Sequence, residues 1–306
     1  MKRLLAADIG GSKTRIQILD TEGKVLSEAC GVGVASISDD PSSLPTLEAL
    51  LFALADKEKI AAIAINLGGK NTEQVLRSFG RAFPNVPTRI GREAEGSAAY
   101  ALGEKYGAPI VLMAGTGAIA VGRCGGKFVT TGGWGCHIGD DGSGYDVGLQ
   151  AIRASLLALD GTEPLTPLSQ RICSCEEPFS PTDTPSAYRD MRDRVREGLF
   201  PLDRSHIASL AKVVCDFAEQ GDKLALAIFE NAGNSLSRLV AKTAKKLGIQ
   251  APAVVVTGGL IGAKKFWAPT FEKQLSGVEI HYVEDGLLCG TRRIVKELYE
   301  SGDKTP

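Results

Sequence analysis

The sequence carries almost no net charge. Its 35 Lys+Arg against 36 Asp+Glu give −1, so there is no electrostatic footprint for nucleic acid or an anionic membrane. The densest basic cluster, Lys242, Lys245 and Lys246, sits near an expected helix end, where cations complement the helix dipole. No apolar run approaches the roughly 20 residues that span a bilayer. The opening Lys2-Arg3 and short apolar run stop at Asp8, unlike a secretory signal, and a cytoplasmic protein is expected. The seven cysteines are odd in number and irregular in spacing, as free thiols in a reducing compartment would be. Cys173 and Cys175 form the one close pair, with no second Cys/His pair nearby to complete a metal site. GxxxxGK[ST] does not occur, which excludes a P-loop. Gly258-Gly259-Leu260-Ile261-Gly262 follows a strand but lacks the rest of a dinucleotide fingerprint.

With 306 residues and 43% hydrophobic composition, the chain can build two lobes. Short apolar runs read as strands at Leu4–Ile9, Thr14–Leu19, Val25–Cys30, Ala61–Leu67, Ile110–Met113, Ala118–Arg123, Phe128–Thr131, Val254–Thr257 and Val278–Val283. Helical spacing marks Pro41–Asp56, Thr72–Ala82, Arg92–Lys105, Ser143–Leu159, Ser205–Glu219, Asp222–Leu247 and Gly286–Tyr299. Strands alternating with helices predict an α/β fold with mixed sheets. A strand, a glycine turn and a returning strand occur near residue 10 and again near residue 116, so the two lobes should share one plan. Residues 161–201, rich in Pro, Ser and Thr, read as a peripheral excursion.

Three glycine turns each follow an apolar strand: Asp8-Ile9-Gly10-Gly11-Ser12-Lys13-Thr14, Gly115-Thr116-Gly117 and Thr257-Gly258-Gly259. Glycine lets backbone N–H groups approach a phosphate with no Cβ in the way. The hydroxyls of Ser12 and Thr116 can donate to phosphate oxygens. Lys13 adds positive charge, although strand alternation can turn it away. Asp8, near the end of its strand, is placed to hold Mg²⁺ through waters, since magnesium keeps much of its hydration shell. Any one turn could be only a tight turn; three of them, with Asp8 ahead of the first, point to nucleotide phosphates.

These turns resemble the phosphate-1, phosphate-2 and adenosine motifs of the actin–hexokinase–Hsp70 superfamily. Within it the chain resembles the BadF/BadG-type ATPases and, among them, the N-acetylglucosamine kinases. The sharpest match is Gly132-Gly133-Trp134-Gly135-Cys136-His137-Ile138-Gly139-Asp140-Asp141-Gly142-Ser143-Gly144-Tyr145 against GGWGxxxGDEGSxY. A softer one is Ala218-Glu219-Gln220-Gly221-Asp222. The resemblance implies two ribonuclease-H-like, actin-like ATPase lobes with an inter-lobe cleft: residues 1–107 with the final helix 290–306, and residues 108–289. It implies a kinase that uses ATP and Mg²⁺ to phosphorylate an amino sugar, N-acetylglucosamine or glucosamine, and a homodimer.

By the same resemblance, Gly10, Gly11, Ser12, Lys13, Gly115, Thr116, Gly117, Ala218, Gly258 and Gly259 would bind ATP. Gly69, Gly133, Trp134 and Asp140 would bind the sugar. The general base falls on Glu93, in Arg92-Glu93-Ala94-Glu95-Gly96-Ser97, where the family carries Asp in a DAxGS-like stretch. The alternative reading is that Glu93 and Glu95 are helix N-terminal acids favoured by the dipole. The substrate-binding Asn expected after the third strand is missing from Gly31–Ser38, where Ser36 or Ser38 could stand in. Two other readings stay open. One is an ATPase activator of a CoA-ester dehydratase, although Val111-Leu112-Met113-Ala114 lacks the Cys those proteins carry before the GTG turn. The other is a sensor that binds ATP or sugar without turnover.

Overall fold

The structure is a computed structural model that describes residues 1–10, 13–33, 43–55, 59–68, 72–92, 96–174, 184–250 and 252–302. Two five-stranded mixed sheets organise it, and they are built alike. The first comprises β1 (Arg3–Ile9), β2 (Lys13–Leu19), β3 (Val25–Val32), β4 (Ile60–Leu67) and β5 (Thr88–Arg92) in the order β3-β2-β1-β4-β5. The second comprises β6 (Ile110–Ala114), β7 (Ala118–Cys124), β8 (Lys127–Gly132), β9 (Val254–Thr257) and β10 (Ile280–Val283) in the order β10-β9-β6-β7-β8. In each, the first three strands form an antiparallel meander. The last two join in parallel beside the first strand of the meander. The glycine-turn echo at residues 10 and 116 therefore marks a repeated topology.

Helices α1 (Ser43–Ala55) and α2 (Thr72–Ala82) cover one face of the first sheet, burying Leu47, Leu51, Val75 and Phe79 against Ile9, Ile16 and Ile63. The other face is covered from the far end of the chain. In α10 (Gly286–Ser301), Val295 and Leu298 pack on Leu4, Ala6, Ala62 and Ala64. Conversely α3 (Ser97–Lys105), which follows β5, sends Ala99 and Leu102 onto Val111, Met113 and Val255 of the second sheet. Each sheet is thus roofed by the helix that follows the other. The two helices meet where Gly290 faces the carbonyl of Ala98; a Cβ at Gly290 would lie 1.9 Å from that oxygen.

The second sheet's core is completed by α4 (Gly144–Leu159), α5 (Pro167–Cys173), α7 (Arg204–Glu219), α8 (Lys223–Leu247) and α9 (Lys264–Gln274), with α6 (Pro185–Leu199) alongside. Two expectations change here. The helix expected over Arg92–Lys105 begins at Ser97 among the described residues, and Thr88–Arg92 is a strand, held by parallel pairing to Ile63–Leu67. The stretch 161–201 is not wholly peripheral: Leu168, Ile172 and Cys173 of α5 belong to the core, and Asp222 accepts from the Leu168 N–H at 3.0 Å. Thr166 and Thr184, N-caps of α5 and α6 each followed by proline at the first helical position, carried that signal. Cys175 lies outside the described residues. No helix among the described residues is long and apolar enough to cross a membrane.

Candidate active site

The ends of β1 and β4 hold the first element of the site. Strand alternation puts Asp8 on the same face as Leu4 and Ala6, just past the apolar cover that α10 provides. Parallel register sets it beside Asn66, antiparallel register beside Arg15. The Asn66 side-chain amide donates to Asp8 Oδ1 at 2.8 Å. Burial pushes the Asp8 carboxyl above the ordinary range, opposed by the Asn66 hydrogen bond and then by the charge of Arg15. The turn that follows is tight, with the Gly10 N–H donating to the Lys13 carbonyl at 2.9 Å. Lys13 is exposed, as strand alternation allowed. A half-buried carboxylate with one oxygen already oriented suits magnesium, which takes one or two carboxylates and keeps water for the rest. No cluster of three or more His, Cys, Asp or Glu that could hold a metal occurs among the described residues.

Arg15 is itself anchored. It donates to Glu28 on β3 at 2.8 Å and pairs with Asp285, immediately before α10. Glu28 is held down to about 2, first by its hydrogen bond from Arg15 and then by that from Gln17. Gln17 in turn accepts from Arg292 of α10 at 3.0 Å.

The second glycine turn is bound to a helix start. Gly115 N–H closes the turn on the Gly117 carbonyl at 2.9 Å. The first N–H groups of α4 point back at it: Gly144 donates to Gly115 O at 2.8 Å and Tyr145 to Thr116 O at 3.3 Å. These are donors that a helix start leaves without intrahelical partners. Ser143 caps α4 by accepting from Asp146 N–H at 3.2 Å. The third turn abuts the second. Gly258 sits at φ +112°, where a Cβ would lie 2.3 Å from the Ala114 carbonyl; only glycine fits. Thr257, buried at the end of β9, accepts from Gly286 N–H at the start of α10 at 3.1 Å. Ala218 is buried in the second core, and its carbonyl accepts from Gly221, so it offers close packing rather than a polar group.

The loop between β8 and α4 carries the remaining candidate residues. Gly133 at φ +71° donates to the Ala118 carbonyl at 2.9 Å. Trp134 and Ile138 are 75% and 80% exposed, so Trp134 is not a core residue. Asp140 differs sharply: it is buried, and its backbone sits at φ +63°. Its Oδ1 accepts from Ala118 N–H at 3.4 Å, and its Oδ2 pairs with Arg204 at 3.3 Å. The pair lies flat against Gly117, whose added Cβ would meet Asp140 Oδ2 at 2.9 Å. Tyr145 nearby is held above the usual phenol range, by burial first and then by Cys136, against the opposing charges of Arg153 and Arg204. His137 takes no role in these contacts.

Asp8, Gly10, Gly115, Thr116, Gly117, Gly258 and Gly259 therefore fall at strand ends and on the turns that follow them, and Gly133 and Asp140 on the loop between β8 and α4. Gly11, Ser12, Gly69 and Glu93 lie outside the described residues, as do 34–38 of the loop after β3. Sequence reasoning missed Asn66 and Arg204, neither of which stands in a recognisable local pattern.

The family model for the BadF/BadG/BcrA/BcrD ATPase family matches residues 7–282. The chain belongs to that family. Among its relatives is the N-acetylmuramic acid/N-acetylglucosamine kinase of Clostridium acetobutylicum, 30% identical over 293 residues that cover 90% of this chain and 91% of that one. Another is the N-acetyl-D-glucosamine kinase of Dictyostelium discoideum, 25% identical over 89% of each chain. A solved structure from Chromobacterium violaceum, provisionally assigned as an N-acetylglucosamine kinase, superposes with a TM-score of 0.70 over 95% of this chain and 99% of that one. At 22% identity it shows the shared fold, two actin-like ATPase lobes. Membership of an ATPase family implies that the protein uses ATP.

Proposed function

We propose that this BadF/BadG family member is a kinase that transfers the γ-phosphate of ATP to a hydroxyl of an amino sugar, N-acetylglucosamine or glucosamine. The observation that carries the reading is the physical union of two loops. The Gly115-Thr116-Gly117 turn is hydrogen-bonded to the start of α4, and the loop that ends at α4 brings buried Asp140 against Gly117. A phosphate-binding turn and a hydroxyl-accepting carboxylate on one rigid unit suit in-line transfer, where most of catalysis is positioning and charge stabilisation. The names of the relatives, all amino-sugar kinases, support the same acceptor class.

In this reading Gly10, Gly11, Ser12 and Lys13 with Gly115, Thr116 and Gly117 cradle the phosphates, while Gly258, Gly259 and Ala218 border the nucleoside. Gly69, Gly133, Trp134 and Asp140 receive the sugar, Asp140 accepting from its hydroxyls and Trp134 supporting the ring. Glu93 takes the proton of the attacking hydroxyl; its extra methylene relative to the family's Asp shifts where that hydroxyl must sit. Asp8 would hold magnesium through water, and the ion, when bound, supplies neutralisation of phosphate charge. The reading also takes the protein to be cytoplasmic and homodimeric, as the resemblance implies; light scattering checks the second point.

The test is ADP release with magnesium across glucosamine, N-acetylglucosamine, N-acetylmannosamine, glucose and buffer alone. One amino sugar is expected to stimulate release strongly, and Glu93→Gln to abolish the stimulation, by about 10²- to 10⁴-fold. No stimulation by any sugar would remove the amino-sugar reading. Nucleotide binding with no product would favour a sensor in its place.

A further inference from the structure

Arg204 stands in a position that helix electrostatics disfavours. Asp203 caps α7, its carboxylate accepting from His206 N–H at 2.8 Å, so Arg204 is the first helical residue. A cation there faces the positive end of the helix dipole. Its Nε is buried with no hydrogen-bond partner, a state that native proteins keep rarely and mostly where a site uses it. Side chains of a helix lean toward its N-terminus, and this one reaches out of α7 to Asp140, 64 positions earlier, and to the flank of Gly117. Asp140 is the unusual partner: a non-glycine residue in the left-handed region, buried, with both carboxylate oxygens occupied, one by the N–H of Ala118 at the start of β7 and one by Arg204. No packing argument requires an arginine to be held this way.

We propose that Arg204 is a positioning residue for the acceptor. It fixes the rotamer of Asp140 and clamps the acceptor loop to the Gly115-Thr116-Gly117 turn. The ion pair holds the Asp140 carboxylate in one orientation, in which its remaining lone pairs can accept from sugar hydroxyls. The clamp sets the separation between acceptor and phosphate turn, on which transfer depends. This rests on the reading of Asp140 as a sugar-binding residue.

The experiment measures N-acetylglucosamine and glucosamine binding by calorimetry, and kcat and KM with saturating magnesium and ATP, for wild type, Arg204→Gln, Arg204→Lys, Asp140→Asn and the Arg204→Gln/Asp140→Asn double variant. Arg204→Gln should weaken acceptor binding and raise acceptor KM about 10- to 100-fold, with the KM for ATP nearly unchanged, while the melting temperature falls because the buried Asp140 carboxylate loses its partner. Arg204→Lys should recover part of the loss. The double variant should bind the acceptor no worse than Asp140→Asn alone, because Arg204 acts through Asp140. Losses that add, unaltered acceptor affinity in Arg204→Gln, or equal rises in both KM values would each overturn the proposal. A wild type that binds amino sugar without turnover removes the kinase reading and leaves this one standing. A wild type that binds no amino sugar overturns both.

Discussion

At the scale of the residue, Asp8 shows the conflict between folding and function most plainly. Its carboxyl is raised because burial disfavours the charged form, and the hydrogen bond from Asn66 offsets that only in part. A raised folded-state value means that stability present at low pH is lost as pH rises through it, so the ligand-free fold is less stable where Asp8 is ionised. Asp8→Asn removes that penalty and keeps an oxygen for the Asn66 amide. We expect the variant to melt above wild type at pH 8, with the gap closing toward pH 4, while activity falls about a hundredfold or more. Melting curves across pH and the ADP-release assay check this, and a variant that melts lower at pH 8 would contradict it. The glycines around Asp8 were legible in sequence because each turn follows an apolar run. Asn66 and Arg204 were not, since they meet Asp8 and Asp140 only through strand register and the return of α7.

At the scale of the element, Arg15 ties β2 to β3 through Glu28 and to the approach of α10 through Asp285. Glu28 is depressed to about 2, so its contribution to stability is full above the ordinary carboxylate range and is lost as pH falls through that value. Arg15→Gln removes the largest cause of the depression and frees the approach to α10. Acid unfolding, followed by circular dichroism, should then set in about one pH unit higher than in wild type. An unchanged acid midpoint would show that the network carries no stability. Elements themselves were read unevenly. Long amphipathic helices and apolar strands were clear, but β5, five residues bearing two arginines and a glycine, has too weak a pattern to stand apart from the helix after it. Its identity comes from the hydrogen bonds it makes with β4. The α5 and α6 helices were obscured by the turn-forming residues around them, although their Thr-Pro starts are capping signals.

At the scale of the whole molecule, the exchange of α3 and α10 between sheets joins the lobes through one close helix crossing. The Gly290 contact with Ala98 leaves no room for a side chain. Ligands that bind only the native fold add stability by mass action, about 2.7 kcal/mol at a hundred times Kd. For a chain of this size we expect magnesium with a non-hydrolysable ATP analogue to raise the melting temperature by roughly 5 °C. Adding the correct amino sugar should raise it further. A sugar that shifts melting no more than glucose does is not the acceptor.

What the sequence determined alone is the class of fold and the chemistry it can hold. Apolar runs followed by glycine turns depend on local backbone freedom and on burial, both written in short windows, and the Gly132–Tyr145 stretch carries its family likeness in consecutive residues. What only the tertiary structure decided is which side chains face one another. Asp8 meets Asn66 because parallel pairing aligns two strand ends 58 residues apart, and Arg204 meets Asp140 because α7 packs on α4. The partners that set the charge and orientation of a site are chosen by register and packing, which no window of the sequence contains.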